Sequence, residues 1–558
     1  MNQRRLMLSI SLGAAITIGL LFALSVNAAS MMASHVDSAV LGTAQESASA
    51  TIRAQGTLSP PHTAHVVVVL SGENTAVRAI TWTGTITRIG ALRAAGFDVV
   101  QNLTVSDLVC SIDGDGCPAS DPWCLANNWW QGQWDANAEA WDSSVWPPPE
   151  VDDGDVIAFH NGTAWVEPAL PAPSYQGGLR ALEWLRLRQD MDTGSYGGVG
   201  ATVETMLAAG ANRWNAGAWR RQADSPSMLH YMYGSGASYV TGGGPAGKTA
   251  VALASSGACW PVDASTPMDY YDPATGQFAP QAVNQAWAML GVKAMSQTIP
   301  VSATQALKDM ITANGGWGWP GWGEDTDTTA LAVEALVAAG ESPTATHVVS
   351  GLNYVKTRQN SDGGFNPGWT SDTSGASTAA AVRAMLAVGQ SPLSVTWTIS
   401  GNTPISYLVG AQQADGSFLY GGSPNEVETR QVAVAMLGRP FPLGRADVPP
   451  CYGISGRVTA GRVVSGAVTT CSAGDAMPDV TVTADGWNNS GIKASTDATG
   501  AYTLSVPEAG DYSLVPLKSG YVFTPAVQIV TVGGSPGDVV MAEDIAGQYG
   551  FFMPLVFR

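Results

Sequence analysis

The spacing of apolar positions changes character three times along the chain. His65 to Leu70 is a β-branched run, Ile86 to Ala95 has helical spacing, and Phe97 to Val100 is strand-like again. That order predicts a small α/β region whose second half, with Trp129, Trp130, Trp134 and Trp141 among few regular elements, reads as irregular β structure. From about residue 175 the pattern becomes short Ala- and Leu-rich helices divided by Gly-rich loops. After Arg445 the helical period stops, and alternation of period two runs through Ile454–Thr459, Val480–Thr483, Ala501–Val506 and Asp511–Val515. Turn signals between these runs predict a small β-sandwich.

The helical stretch repeats. Gln189-Asp-Met-Asp192-Thr-Gly-Ser-Tyr196, Asn314-Gly-Gly-Trp317, Gln359-Asn-Ser-Asp362-Gly-Gly-Phe365 and Gln412-Gln-Ala-Asp415-Gly-Ser-Phe418 share one theme, and the last three lie 48 and 53 residues apart. Each follows one helical stretch, and the last three precede a second, in Thr329–Ala338, Thr378–Ala387 and Glu428–Leu437. The unit predicted is a helical hairpin: glycine gives the left-handed turn that ends the first helix, the aromatic covers the hairpin, and Asp, Ser or Thr caps the second helix. With the segments at Ser227–Val240, Lys248–Ser256 and Gln281–Met295 the count reaches about twelve helices, the outer helix near Pro267–Tyr271 being stunted. About six pairs would close into an α/α toroid rather than an open solenoid.

The two ends read differently. Arg4 and Arg5 precede the apolar run Leu6–Leu24, and Val26-Asn27-Ala28 offers a cleavage site, so residues 1–28 read as a secretory signal peptide, with a retained anchor as the alternative. Residues 29–60, rich in Ala, Ser and Thr, read as a linker. The chain ends in the apolar tail 546–558, too short to span a membrane and read as an added edge strand or an envelope-association signal. The boundaries are then 61–170 for the α/β region, 171–445 for the toroid and 446–545 for the sandwich.

Charge and cysteines narrow the function. The chain of 558 residues carries a net charge of −19, with only 26 Lys plus Arg, which excludes phosphate-driven nucleic-acid binding. Six cysteines in an exported chain suit disulfides. Cys451 and Cys471, twenty positions apart, are the pairing expected, the others being left open. Without compact C-x-x-C or His spacing, no metal site is expected.

The Q-x-x-D-G-G-F loops make the helical segment resemble the terpenoid cyclase and protein prenyltransferase toroid, specifically the squalene-oxidase-repeat proteins exported by bacteria. Through Val109-Cys-Ser-Ile-Asp-Gly-Asp-Gly-Cys-Pro118 and the Gly154–Val156 turn, the first region resembles the β domain of transcobalamin-like proteins, although there it follows the toroid. Thr496-Asp-Ala-Thr-Gly-Ala-Tyr-Thr503 makes the last region similar to carboxypeptidase-regulatory-like domains. The expected architecture is therefore multidomain: a transcobalamin C-terminal-like α/β domain, an (α/α)6 toroid and an Ig-like β-sandwich.

Asp325-Thr-Asp327-Thr-Thr-Ala330 resembles the D-x-D-D-T-A motif of class II terpene cyclases, in which the aspartate matching Asp327 is the acid; here Thr328 replaces the final aspartate. The alternative is that Asp325 and Asp327 cap and complement an inner helix, as Asp372 and Asn425 would in other repeats. The zinc set of a prenyltransferase and the thioester motif of complement proteins are both missing. Binding rather than catalysis is thus expected: an extracellular or cell-surface protein whose toroid mouth, covered by the α/β domain, takes a small corrinoid-like or apolar ligand. Trp319, Trp322, Phe365, Trp369 and Tyr420 would line that site and Asp325 and Asp327 would add polar contacts. No cofactor is required, a corrinoid being a ligand. The other readings are a terpene cyclase using Asp327, and a surface adhesion or assembly protein without a small ligand.

Overall fold

The computed structural model describes residues 61–549 apart from 71–73, 102–107, 118–127, 145–149, 163, 223–224, 262–263, 444–447, 449, 461–475, 485–491, 508, 520, 536 and 538. The signal-peptide and linker readings, the final residues 550–558, Cys124 and Cys471 lie outside them.

The first region is built on a five-stranded mixed sheet. Its strands are β1 (His62–Leu70), β2 (Asn74–Trp82), β6 (Asn128–Asp135), β7 (Ala140–Asp142) and β8 (Val156–Gly162), in the order β2-β1-β8-β6-β7. A small sheet of β3 (Val99–Gln101), β4 (Val109–Ile112) and β5 (Asp115–Gly116), with helix α1 (Arg88–Ala94), completes it. The unbroken apolar run of β1 follows from burial on both faces. Val66 and Val68 face a local core with Leu92 and Phe159, whereas Val67 joins Val77 and Ala158 in the core of the helical region.

The helical region consists of α2 (Ala172–Arg186), α3 (Val199–Ala211), α4 (Met228–Ser235), α5 (Gly243–Ser256), a 3-10 turn at Pro267–Tyr270, α6 (Ala282–Ala294), α7 (Val301–Asp309), α8 (Thr326–Ala338), α9 (Thr346–Lys356), α10 (Gly375–Ala387), α11 (Pro404–Ala411) and α12 (Glu426–Met436). Helix α3 packs on α5, α5 on α6, α6 on α8, α8 on α10, α10 on α12, and α12 back on α3, so six inner helices close a ring. The outer layer is α2, α4, the 3-10 turn, α7, α9 and α11; the stunted outer member expected near Pro267 is that single turn.

The repeated loop residues explain why the pairs stack. The Gln359 amide donates to the Gly363 carbonyl of its own loop and to Trp397 of the next pair; Gln189 bonds Gly194 and Trp219 in the same way. Gln412 reaches Gly416 and, across the closure of the ring, Gly177 of α2. The loop aromatics are tied to the following inner helix by one recurrent bond: the backbone N–H groups of Tyr196, Trp317, Phe365 and Phe418 donate to Thr202, Thr329, Thr378 and Thr429 Oγ1. Gly363 and Gly416 take φ of 90° and 91°, and a Cβ there would lie 2.6 Å and 2.4 Å from the Thr403 and Arg180 carbonyl oxygens. Neither position accepts another residue without moving backbone. Capping is as expected at Asp325 and Asn425, which accept from Thr328 and Glu428 N–H. At α10 the cap is Ser374 rather than Asp372, because only Ser374 stands three residues ahead of the free Ser377 N–H.

The last region has two sheets. Ala501–Val506, Tyr452–Ala460, Ile545–Tyr549 and Tyr521–Thr524 are neighbours in one; Lys493–Ser495, Thr481–Ala484, Gly510–Leu517 and Gln528–Val532 form the other. Val482 and Leu514 of the second sheet share a core with Leu504 and Ile545 of the first. The segment 546–549, expected in a terminal tail, is thus part of a strand inside the sheet rather than at its edge.

The expected Cys451–Cys471 pairing is corrected: Cys451 bonds Cys259, with a Cα–Cα distance of 4.9 Å across 192 residues of sequence. The cause is backbone docking. Pro450 forms a parallel bridge with Trp260, and the Cys451 N–H donates to the Trp260 carbonyl, which sets the two thiols side by side at the C-terminal end of α5.

Candidate functional site

The six inner helices surround a cavity of about 230 Å³. Every inner helix contributes to it: Glu204 and Leu207 from α3, Lys248 from α5, Val283 and Trp287 from α6, Asp327, Thr328 and Leu331 from α8, Arg383 from α10, and Arg430, Gln431 and Val434 from α12. Phe441, in the segment that follows α12, completes the wall. Asp327 and Val283 lie in the first turns of their helices, so the cavity reaches toward the inner-helix N-termini.

Charge in the wall falls into two groups. In the first, Lys248 donates to Glu204 (2.6 Å), Arg430 Nε donates to Thr205 Oγ1 (2.9 Å), and Arg430 is further paired with Glu426. In the second, Arg383 lies 3.5 Å from the fully buried Glu334, whose other bond is from the Phe441 N–H at 2.8 Å. Burial pushes the Glu334 carboxyl up to about 7, against the pull of Arg383. Burial also pushes Asp327 up to about 6, so this carboxyl exchanges its proton near neutral pH.

The aromatics that line the cavity carry cations on their faces. Lys248 Nζ is 5.3 Å from the Trp287 ring and Arg383 is 4.7 Å from that of Phe441. Their π-density is thereby engaged by the protein's own charges.

Of the residues singled out from sequence, Asp327 alone lines this cavity. Asp325 caps α8 and is buried. Phe365 is 0 % exposed and packs on Trp397, with ring centroids 6.1 Å apart; it is a hairpin staple and presents no surface to a ligand. Trp319, Trp322, Trp369 and Tyr420 stand exposed on the loops ahead of α8, α10 and α12, with Trp322 at 87 %. They border the mouth without entering the cavity. The loops carrying Trp322 and Trp369 adjoin, since Thr326 N–H donates to the Pro367 carbonyl.

The expected cover over the mouth is also corrected. Among the described residues, none of 61–170 lines the cavity. The first region docks instead past the C-terminal end of α3, where Asn212 exchanges two hydrogen bonds with Val77 and accepts from Arg78 through its carbonyl, and on α2 through Gln176 and His65. Val77 of β2 is fully buried in the core of the helical region, which fixes the first region at that end of the ring. A corrinoid held between that region and the mouth has no counterpart in this arrangement, and the cavity is far too small for one.

Glu204, Lys248, Trp287, Glu334, Arg383 and Arg430 were missed from sequence. A signal existed: α3, α5 and α10 each carry one charged residue in an otherwise uncharged, buried helix. A lone charge in such a helix has to face either a partner or a cavity.

No protein-family model matches the chain, and no curated protein matches it. Among solved structures, the apo form of the type II terpene cyclase MstE from Scytonema is similar over 48 % of this chain and 98 % of its own, at 14 % identity and a TM-score of 0.34. A protein from Actinoplanes is similar over 48 % of this chain and 99 % of its own, at 15 % identity and a TM-score of 0.32. Candida albicans protein geranylgeranyltransferase-I complexed with GGPP covers 30 % of this chain and 52 % of its own, at 17 % identity and a TM-score of 0.24. The ring closure described above rests on the helix contacts of this chain alone. Among the described residues no helix is long and apolar enough to cross a membrane, and no group of His, Cys, Asp and Glu is arranged to hold a metal ion.

Proposed function

We propose that the protein is an exported binding protein that holds one small molecule in the cavity of its helical ring. The observation that carries this reading is the cavity itself, about 230 Å³ walled by all six inner helices and by Phe441. Its volume falls below the roughly 300–1,000 Å³ typical of pockets for drug-sized ligands, so the occupant is compact. Half of the wall is apolar, from Leu207, Val283, Leu331 and Val434, and the other half offers placed charges. The signal-peptide reading of residues 1–28 and the Cys259–Cys451 bond support an oxidising, extracytoplasmic location.

A second reading is a terpene cyclase with Asp327 as the acid, favoured by the position of that carboxyl in the cavity and its raised pKa. Against it, Lys248 and Arg383 already occupy the faces of Trp287 and Phe441, the aromatic rings of the cavity wall that would have to stabilise a carbocation. Binding is therefore the reading adopted.

The test is native mass spectrometry of the full chain purified from an export host, followed by denaturation and identification of released small molecules. One bound small molecule per chain is expected, lost in Leu331→Trp, where the larger side chain fills the cavity. An empty chain that also ignores a broad panel of small acids, amides, alcohols and amines in calorimetry would sink the binding reading. Turnover of a prenyl substrate, abolished by Asp327→Asn, would establish the cyclase instead.

A further inference from the structure

We infer that the molecule held in the ring carries a carboxylate, seated between Arg383 and Asp327, with a small apolar body against Leu207, Val283, Trp287, Leu331 and Val434. This rests on the reading that the cavity holds a ligand.

The two charge groups of the cavity differ in how completely they are paired. Around Glu204, Lys248 and Arg430 the donors and acceptors meet one another within the protein. Around Arg383 they do not. Arg383 Nη1 and Asp327 Oδ1, on two residues of the cavity wall, are enclosed and meet no hydrogen-bond partner among the described residues; Glu334 and Ser377 stand behind that wall, beside Arg383 and Asp327 respectively. Arg383, Glu334 and Ser377 are exposed by only 5 %, 0 % and 1 %. Buried polar groups in folded proteins are nearly always satisfied, because an unmade hydrogen bond leaves the cost of desolvation uncompensated. Two such atoms on neighbouring inner helices, both in the wall of the cavity, mark a place shaped for another molecule's polar atoms.

Their chemistry narrows that molecule. An unused guanidinium N–H asks for an acceptor, best an anionic one. The Asp327 carboxyl, pushed up to about 6 by burial, supplies a proton below that pH and takes one up with little cost above it. A carboxylate satisfies both sides: one oxygen accepts from Arg383 Nη1, and the other shares the Asp327 proton. An amine would meet Arg383 with like charge, and an alcohol would leave the guanidinium half used. A larger dianion would face Asp327, Glu334 and Glu204 together. Charge acting on Asp327 comes from Asp325 on its own helix, Arg383 on α10 and Glu428 on α12. A second carboxylate arriving beside it raises its proton affinity further, so binding takes up a proton.

The experiment is calorimetry on the purified full chain with hexanoate and benzoate, against hexanamide, hexan-1-ol and hexylamine. The carboxylates are expected to bind at least tenfold more tightly than the neutral analogues, and hexylamine not at all. Hexanoate affinity should rise several-fold between pH 7.5 and pH 5.5, and Asp327→Asn should flatten that dependence. Arg383→Gln should cost tenfold or more in hexanoate affinity; if it does not fold, the Asp327→Asn pH profile decides the point. Hexan-1-ol, hexanamide or hexylamine binding as tightly as hexanoate would overturn the carboxylate while leaving the binding reading intact. A co-purifying ligand without a carboxylate would do the same, and one with a carboxylate would support it. Silence from all five probes together with an empty chain in native mass spectrometry would remove both inferences.

Discussion

The two ends of the helical ring are made by the same inner helices yet are finished in opposite ways. At the C-terminal end, the first region docks on Asn212 and α2, the Cys259–Cys451 bond ties down the last region, and Phe441 lies under Arg383 with its N–H on Glu334. At the N-terminal end, Trp322, Trp369 and Tyr420 stand out from the loops at 87 %, 70 % and 67 % exposure. The N-terminal end of a helix carries unsatisfied N–H groups and favours negative charge, and it is there that Asp325, Asp327 and Asn425 are found. A ring of this kind is closed by packing at one end and addressed by polar and aromatic groups at the other. Substitutions at the closed end should therefore cost stability, and substitutions at the mouth should not.

The largest effect is expected at Glu334. Glu334→Ala leaves Arg383 charged and buried without its carboxylate and strips the Phe441 N–H of its acceptor. Removing one partner of a buried pair typically costs about 3–5 kcal/mol. Chemical denaturation should show a loss of that size; a loss below 1 kcal/mol would mean that the closed end is not held by this pair. Next comes the disulfide. Cys451→Ala opens a loop of 192 residues and should cost about 2–5 kcal/mol, most visibly as earlier proteolysis of residues after Leu443. Equal protease resistance with and without reductant would show that packing alone holds the last region.

A third effect follows from proton linkage. Folding raises Asp327 to about 6 and Glu334 to about 7, above their ordinary carboxyl values of 3.8 and 4.5. The native state then binds more protons than the unfolded chain between about pH 4 and pH 7, so the stability these two groups confer is present at low pH and is lost as pH rises through their folded values. Exposed carboxyls held low, such as Asp190 and Asp415, act in the opposite direction. The informative quantity is therefore the difference between parent and Asp327→Asn/Glu334→Gln. That difference should change by about 4 kcal/mol between pH 5 and pH 7.5. A constant difference would place both carboxyls in ordinary solvent.

The fold was legible in sequence to the extent that its units are local. Gln359, Asp362, Gly363 and Phe365 fall within seven positions of one another, and their bonds are made within that loop or to the next helix, so the hairpin and its repetition can be read directly. The alternation in Ala501–Val506 is legible for the same reason. What escaped depends on closure of the ring. Cys259 and Cys451 meet only because the chain returns past Trp260, Arg430 and Glu204 meet because α12 packs on α3, and Arg383 and Glu334 meet because α10 packs on α8. The aromatics misled in a specific way. In Asn314-Gly-Gly-Trp317-Gly-Trp319-Pro-Gly-Trp322 one indole is core and another is solvent-exposed, and composition does not distinguish them. The backbone bond from the repeat aromatic to Thr329 does, since the residue making it is drawn under the hairpin.

The smallest effect is expected at the mouth, and it is the sharpest test of the contrast between the two ends. Trp322 is 87 % exposed and its hairpin is held by its neighbours, through the Asp325 N–H on the Trp317 carbonyl and the Trp317 indole N–H on the Leu307 carbonyl at 2.7 Å. Trp322→Ala removes little buried surface, so its effect on stability should stay within about 0.5 kcal/mol. Hexanoate affinity should also be unchanged, because the indole does not reach the cavity. A loss of affinity at unchanged stability would bring the exposed loops into the binding site. A loss of stability above 1 kcal/mol would show that Trp322 packs in solution and that the mouth, like the other end, is held by apolar contact.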